Sequence, residues 1–115
     1  MRKFVAALSF GVALAAGAAF ADTVSNGYGN TFVVTTAQGA EVLYHFDEGG
    51  AYRMTAPDGT VVSGTWTVAN GQLCLTPQGG AAGCSAYVGD KNVGDTWTQT
   101  ASDGSTITVT LRAGR

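Results

Sequence analysis

The sequence predicts an all-β domain, a small antiparallel up-and-down meander that closes into an eight- or nine-stranded barrel or a curled sheet. Short segments alternate apolar and polar residues, and turn sequences such as Asn70-Gly71 and Pro57-Asp58-Gly59 separate them. Alternation with period two is typical of strands with one solvated face, and Asn-Gly favours a type I′ hairpin turn. Residues 22–115 also contain 15 Gly and 15 Thr, which are poor helix formers.

The strand pattern recurs along the whole of this region. The predicted segments are 31–36, 41–46, 51–55, 60–63, 65–69, 72–76, 84–88, 96–101 and 106–111. Gly64 separates two of them and predicts a bulge or a bend there. Closing the meander is expected because a long open sheet would leave two exposed edges.

One face of these segments is apolar and supplies the predicted core. Its members are Phe32, Val34, Val42, Tyr44, Phe46, Tyr52, Met54, Trp66, Val68, Leu73, Leu75, Tyr87, Trp97, Ile107, Val109 and Leu111. About fifteen such side chains fill a small barrel. We therefore expect a packed interior with little room for a ligand.

The N-terminus has the three parts of a secretory signal peptide. Arg2 and Lys3 precede an apolar stretch, and Ala19-Phe20-Ala21 places small residues at the cleavage positions. A transmembrane anchor is the alternative, but the stretch is shorter than the roughly 20 residues that such a helix needs. We expect residues 1–21 to be removed, 22–30 to be an N-terminal extension and 31–115 to be a single β domain. The protein is then periplasmic or secreted by a bacterium, with no transmembrane segment after cleavage.

Cys74 and Cys84 are the two cysteines of the chain. An oxidising compartment favours a structural disulfide between them. A redox or metal-binding pair is the alternative, but nine intervening residues do not form a C-x-x-C motif and no His-rich segment accompanies them.

Charge and spacing exclude several functions. Residues 22–115 carry four basic and eight acidic side chains, a net charge of −4, and no basic cluster that could neutralise the phosphates of a nucleic acid. His45 is the single histidine and has no recognisable nucleophile motif nearby, so we expect an exposed strand residue. The acidic turn residues lack the spacing of a calcium loop. The sequence predicts no enzyme, no metal site and no cofactor.

The aromatic residues have two interpretations. Trp66, Trp97, Tyr44, Tyr52 and Tyr87 could line a ligand pocket, but their alternating positions favour a packed core. Tyr28, before the first strand, is expected to be exposed. The candidates for contact with a ligand or partner are Tyr28, His45, Trp66 and Trp97.

Threonine recurs at every second position of three segments. The sets are Thr65/Thr67, Thr96/Thr98/Thr100 and Thr106/Thr108/Thr110. If the sets are adjacent in the sheet they form a ladder that resembles the surface of ice-binding β-proteins. The alternative, which β-propensity favours, is that threonine simply suits the solvated face of a strand.

A set of short motifs runs through residues 29–88. They are Gly29-Asn30-Thr31, Tyr44-His45-Phe46 with Gly49-Gly50, Gly64-Thr65-Trp66-Thr67-Val68, Leu73-Cys74 and Cys84. This pattern resembles a group of small secreted proteobacterial proteins, largely classed as domains of unknown function. The resemblance implies the β fold and the disulfide and carries over no catalytic residue. A weaker architectural resemblance is to periplasmic β-barrel inhibitors of lysozyme and secreted proteases, whose S-G-x-x-Y motif this sequence lacks, since Ser63-Gly64 is followed by Thr65-Trp66.

Three functions follow as hypotheses. The first is a non-catalytic exported protein that binds a protein partner of the cell envelope through its loops. A more specific alternative of this kind is an inhibitor of a hydrolase such as lysozyme or a secreted protease. The second is a carrier of a small apolar ligand. The third, an enzyme using His45 with a turn carboxylate, is disfavoured by the lack of a nucleophile. The sequence leaves the target and the oligomeric state open.

Overall fold

The computed structural model describes residues 22–115, so the predicted signal peptide over 1–21 lies outside the described residues. The described chain forms one short helix and eight strands. They are α1 (Thr23–Asn26), β1 (Thr31–Thr35), β2 (Glu41–Phe46), β3 (Ala51–Thr55), β4 (Val61–Ala69), β5 (Gln72–Pro77), β6 (Gly83–Ala86), β7 (Thr96–Thr100) and β8 (Thr106–Arg112). The all-β prediction is confirmed.

All eight strands belong to one antiparallel sheet in the order β6-β5-β4-β3-β2-β1-β8-β7. Each strand pairs with its neighbour along the chain except at β6 and β7, and β8 returns to pair with β1 through Phe32↔Leu111. The two edge strands, β6 and β7, approach within 8 Å between Cα atoms but form no ladder in residues 22–115. The result is an up-and-down barrel that is closed except along this unpaired seam.

The hairpin turns have the backbone that their sequences predict. Asn70 and Gly71 have φ angles of 55° and 74°, as a type I′ turn requires. This turn joins β4 to β5, whose register ends at Ala69↔Gln72.

The predicted interruption at Gly64 is wrong, because β4 is one continuous strand. Gly64 pairs with Tyr52 on one side and with Pro77 on the other. A Cβ atom at this position would lie 2.8 Å from the Tyr52 ring and would collide with the Thr76 carbonyl oxygen. The glycine therefore permits the close approach of neighbouring groups rather than a break.

The buried core consists of Val24 of α1, Phe32 of β1, Phe46 of β2, Tyr52 of β3, and Val109 and Leu111 of β8. Its aromatic part, on the inner faces of β1–β4, is what we call the filled half. The Phe46 ring is packed edge-on against Phe32 and Trp66, with centroid distances of 5.4 and 5.9 Å, and stacks on Tyr52 at 6.2 Å. Phe32, Phe46 and Tyr52 are all buried. Val68, predicted to face inward, is 39% exposed because the β4–β5 hairpin continues past the core at this point.

The predicted N-terminal extension is integrated into the domain. Thr23 and Val24 on α1 are buried. The Thr23 hydroxyl donates a hydrogen bond to the Val88 carbonyl and accepts one from the Lys91 backbone N–H at 3.0 Å. Asn26 donates to the Lys91 carbonyl oxygen at 2.8 Å. These contacts attach α1 to the segment between β6 and β7.

The disulfide prediction is confirmed. Cys74 and Cys84 are directly opposite each other on β5 and β6 and are bonded, with their Cα atoms 4.1 Å apart. The bond fixes β6 to the rest of the sheet, which matters because β6 has a paired neighbour on one side only. The part of the chain that the structure covers, 22–115, includes no helix long and apolar enough to span a bilayer.

Candidate functional site

A cavity of about 350 Å³ occupies the interior between β5–β6 on one side and β7–β8 on the other. We call it the barrel cavity. Most of its wall is apolar or aromatic: Phe32, Val34, Val42, Tyr44, Phe46, Leu73, Leu75, Trp97, Ile107 and Val109. The expectation of a completely packed interior is therefore wrong, although all ten of these residues point inward as predicted.

The cavity exists because several inward positions carry small side chains. Gly83 and Ser85 occupy the inner face of β6, opposite Leu75 and Leu73 of β5. Ala101 lines the cavity beyond the end of β7. The predicted core omits these positions because it consists of large apolar residues. The sequence does contain a signal for the cavity. Gly83, Ser85 and Tyr87 occupy every second position and so face inward, but the first two are too small to fill the barrel.

One end of the cavity, the helix end, is closed by α1 and Tyr87. The Tyr87 hydroxyl accepts a hydrogen bond from the Val24 backbone N–H at 3.1 Å and donates one to the Asp22 carboxylate. Burial, followed by the hydrogen bond to Asp22, raises the pKa of Tyr87 to about 12. The phenol therefore stays protonated at neutral pH and keeps its donor role in this closure.

The other end, the turn end, is lined by polar groups. Thr36 follows β1, while Ser102, Asp103 and Ser105 lie in the turn between β7 and β8. The Asp103 carboxylate accepts hydrogen bonds from the Ser105 hydroxyl at 2.7 Å and the Ser105 backbone N–H at 3.0 Å. These two bonds hold the pKa of Asp103 below its usual value. The turn end therefore carries a fixed negative charge.

Two further polar groups lie in the apolar wall. The Trp97 indole N–H donates to the Gln99 side-chain oxygen at 2.6 Å, which leaves the amide protons of Gln99 for another partner. Burial, and then the neighbouring Tyr52, raises the pKa of Tyr44, so its hydroxyl remains a proton donor. An apolar wall with a few fixed polar groups is the usual composition of a small-molecule site.

Of the four predicted contact residues, Trp97 alone lines the cavity. Trp66 belongs to the filled half, and its indole N–H donates to the Asp47 carbonyl oxygen at 3.0 Å. Tyr28 is half-buried rather than exposed, and its ring centroid is 6.4 Å from that of Trp66. The structure therefore separates the two tryptophans, one into the core and one into the cavity wall.

His45 is half-buried on the outer face of β2, not an exposed strand residue. The Thr31 hydroxyl donates its proton to the Gly114 carbonyl oxygen at 2.7 Å and lies 3.1 Å from His45 Nε2. Because that proton is already used, Nε2 carries a hydrogen and donates to the Thr31 oxygen. Nδ1 is then a buried acceptor that no group within residues 22–115 contacts by a hydrogen bond.

The charges around His45 oppose its protonation. Burial lowers the pKa of His45 most, and the positive charges of Arg115, Arg53 and, more weakly, Arg112 lower it further, against an opposing contribution from Asp47. Arg115 itself is anchored, since its guanidinium contacts the Asp47 carboxylate at 2.9 Å and the Phe46 carbonyl oxygen at 2.7 Å. A neutral His45 thus helps to hold the residues that follow β8 against the outside of the barrel.

The threonine sets of β7 and β8 are adjacent, in the pairs Thr96↔Thr110, Thr98↔Thr108 and Thr100↔Thr106. The hydroxyls of Thr96 and Thr110 are 2.9 Å apart. Thr65 and Thr67 lie on β4, far along the sheet from these pairs, so the ladder is confined to two strands and one residue of β1, Thr35.

No cluster of three or more metal-binding side chains occurs within the described range, 22–115. No known family, curated protein or solved structure matches this chain. The resemblance to small secreted proteobacterial proteins therefore stays a prediction from the motifs.

Proposed function

We propose that this protein is an exported, non-catalytic binding protein that holds a small, largely apolar ligand in the barrel cavity. The observation that carries the proposal is the cavity itself. Its volume of about 350 Å³ falls at the lower end of the range of roughly 300–1,000 Å³ that ligand sites occupy. A ligand would replace water at the apolar wall, and burial of apolar surface contributes about 25 cal/mol per Å².

The unpaired seam supports access to this site. Gly83, Ser85 and Ala86 of β6 and Trp97 and Gln99 of β7 line the cavity on the two sides of the seam. Because β6 and β7 share no ladder in the described chain, a small solute can enter between them without breaking interstrand hydrogen bonds. A fully closed barrel of this size would require local unfolding.

Export is supported by the signal-peptide pattern and by the disulfide, since disulfides persist in oxidising compartments. Mass spectrometry of the protein recovered from the periplasm should give a chain that begins at Asp22 and is two hydrogens lighter than its reduced form. A chain retaining residues 1–21, or two free thiols, would contradict export.

Binding of an envelope protein through the loops, and inhibition of a hydrolase such as lysozyme, stay predictions from the sequence. No observation on residues 22–115 favours either over ligand binding.

The two tryptophans provide the test of the proposal, because one lines the cavity and the other does not. The Trp66→Phe variant has Trp97 as its single tryptophan, and the Trp97→Phe variant has Trp66. Titration with octanol should change the intensity and wavelength of Trp97 emission with saturation, and should leave Trp66 emission unchanged. Circular dichroism of both variants checks that they are folded. Equal responses from the two variants, or none from either, would exclude the barrel cavity as the binding site.

A further inference from the structure

The charged groups around the barrel cavity are distributed unevenly. Asp103, which is solvent-exposed at the turn end, is the one residue lining the cavity that carries a charge at neutral pH, and among residues 22–115 no lysine, arginine or histidine belongs to the wall. The four basic side chains of this region have other positions. Arg53 and Arg112 alternate with the inward residues of β3 and β8, and Arg115 is paired with Asp47.

Lys91 is the cation nearest the wall. Its ammonium lies 5.8 Å from the centroid of the Trp97 ring and 3.7 Å from the Asp90 carboxylate. Lys91 thus interacts with Asp90 and Trp97 from outside the cavity. It lies on the segment between β6 and β7 that contacts α1 at the helix end. The turn end, where Asp103 lies, carries the hydroxyl groups of Thr36, Ser102 and Ser105. At the helix end, the hydroxyls of Thr23 and Tyr87 both donate and accept hydrogen bonds within the protein.

From this distribution we propose that the ligand is an amphipathic molecule with a positively charged or neutral polar head, held at the turn end beside Asp103, and that the cavity discriminates against carboxylates. The inference rests on the proposed function, since it assigns the ligand class of the same cavity.

The physical reason is the cost of an uncompensated charge. A carboxylate carried into the apolar wall would lose its hydration without meeting a cation, which is strongly unfavourable. Placed at the turn end, it would be repelled by Asp103. An ammonium group at the same place meets an opposite charge, and the Ser105 hydrogen bonds, which keep the pKa of Asp103 low, maintain that charge down to acidic pH. A hydroxyl head group incurs neither the repulsion nor the attraction.

Three ligands with one chain and different heads test the inference: octylammonium, octanol and octanoate. Their dissociation constants are measured at neutral pH and low salt by Trp97 emission in the Trp66→Phe protein. Octylammonium should bind most tightly, octanol next and octanoate most weakly, with about a tenfold difference between the two ions. The expected difference is modest because Asp103 is exposed to solvent, and exposed charges interact weakly in water.

Two variants test whether Asp103, rather than another charged residue, causes the preference for a positively charged head group. Asp103→Asn keeps an oxygen that can accept the Ser105 hydrogen bonds, and should bring octylammonium and octanol to nearly equal affinity while leaving octanol binding unchanged. Lys91→Gln is the matched control and should leave the order of the three ligands as it is.

The outcomes distinguish the two proposals. Saturable binding of octanol together with equal affinities for octylammonium and octanoate would overturn the charge preference alone. The same holds if Asp103→Asn leaves the preference intact or if Lys91→Gln abolishes it. Failure of all three ligands to bind would overturn the proposed function.

Discussion

The filled half and the open half of this barrel follow the same strand pattern but differ in the size of their inward side chains. In the filled half, β2, β3 and β4 contribute Phe46, Tyr52 and Trp66, and Phe46 packs against both of the others. In the open half, by which we mean β5–β7 beside the barrel cavity, β6 contributes Gly83 and Ser85. Alternation therefore determines which face is inward, whereas side-chain volume determines whether the interior is solid or hollow.

The two halves are also stabilised differently. The filled half is stabilised by the burial of aromatic side chains, each of which removes a large apolar surface from water. In the open half the inward residues are only partly buried, and the strands are held by the Cys74–Cys84 bond and by the docking of α1 on the segment after β6. The barrel cavity is thereby kept open on this side without close packing of its wall.

Truncation of a large side chain gives the largest expected difference between the halves. Phe46→Ala should lower the free energy of unfolding by about 3–5 kcal/mol, the usual cost for a buried phenylalanine. Leu73→Ala, on β5 of the open half, should cost about 1–2 kcal/mol, since that side chain, unlike Phe46, is only partly buried. Urea unfolding measures both.

Phe46→Leu provides a milder variant if Phe46→Ala does not fold. Equal losses of unfolding free energy for the Phe46 and Leu73 substitutions would show that the two halves are packed alike.

Removal of the disulfide tests how the open half is held. The Cys74→Ser/Cys84→Ser variant should lose about 3 kcal/mol of stability, as expected for a closed loop of this size. Octanol affinity at Trp97 should also fall, because β5 and β6 form one wall of the cavity. Reduction of the native protein should reproduce both effects. Unchanged octanol binding in a folded, reduced protein would mean that the wall does not depend on this bond.

A larger side chain inside the cavity should give the open half a packed interior like that of the filled half. Ser85→Leu places an apolar side chain in the empty space, and we expect a gain of about 1 kcal/mol in stability with loss of octanol binding. Ser63→Leu is the matched control, since Ser63 is exposed on β4, and should leave octanol binding unchanged. Retained binding in the Ser85→Leu variant would place the ligand elsewhere.

The smallest expected effect concerns pH and the outer surface of the filled half. The pKa of His45 is lowered from 6.5 in the folded protein, so the unfolded chain binds a proton more readily in the interval just below pH 6.5. His45 therefore contributes stability that is present above pH 6.5 and is lost as the pH falls through this interval.

Comparison of unfolding curves for the native protein and His45→Gln isolates this contribution from that of the carboxylates, which titrate lower. The native protein should lose more stability than the variant between pH 6.5 and the folded-state pKa of His45. Parallel curves over this range would contradict the assigned neutral state.

Local patterns in the sequence predict the strands, the Asn70-Gly71 turn and the Cys74–Cys84 bond, because alternation and turn chemistry act between near neighbours. Three features depend instead on distant contacts. Gly64 is required by the Tyr52 ring across the strand pair, and α1 is held by hydrogen bonds to residues about 65 positions away. The cavity depends on the summed volumes of side chains from strands at opposite ends of the sheet, which no single segment reveals.

The most direct measurement of the central claim is a crystal structure of the exported protein under xenon pressure. Xenon occupies accessible apolar cavities in proteins. We predict xenon in the barrel cavity, in contact with Leu75, Trp97 and Ile107, with β6 and β7 unpaired along the seam. A barrel closed by hydrogen bonds between β6 and β7, with side chains filling the interior and no xenon bound there, would contradict the account.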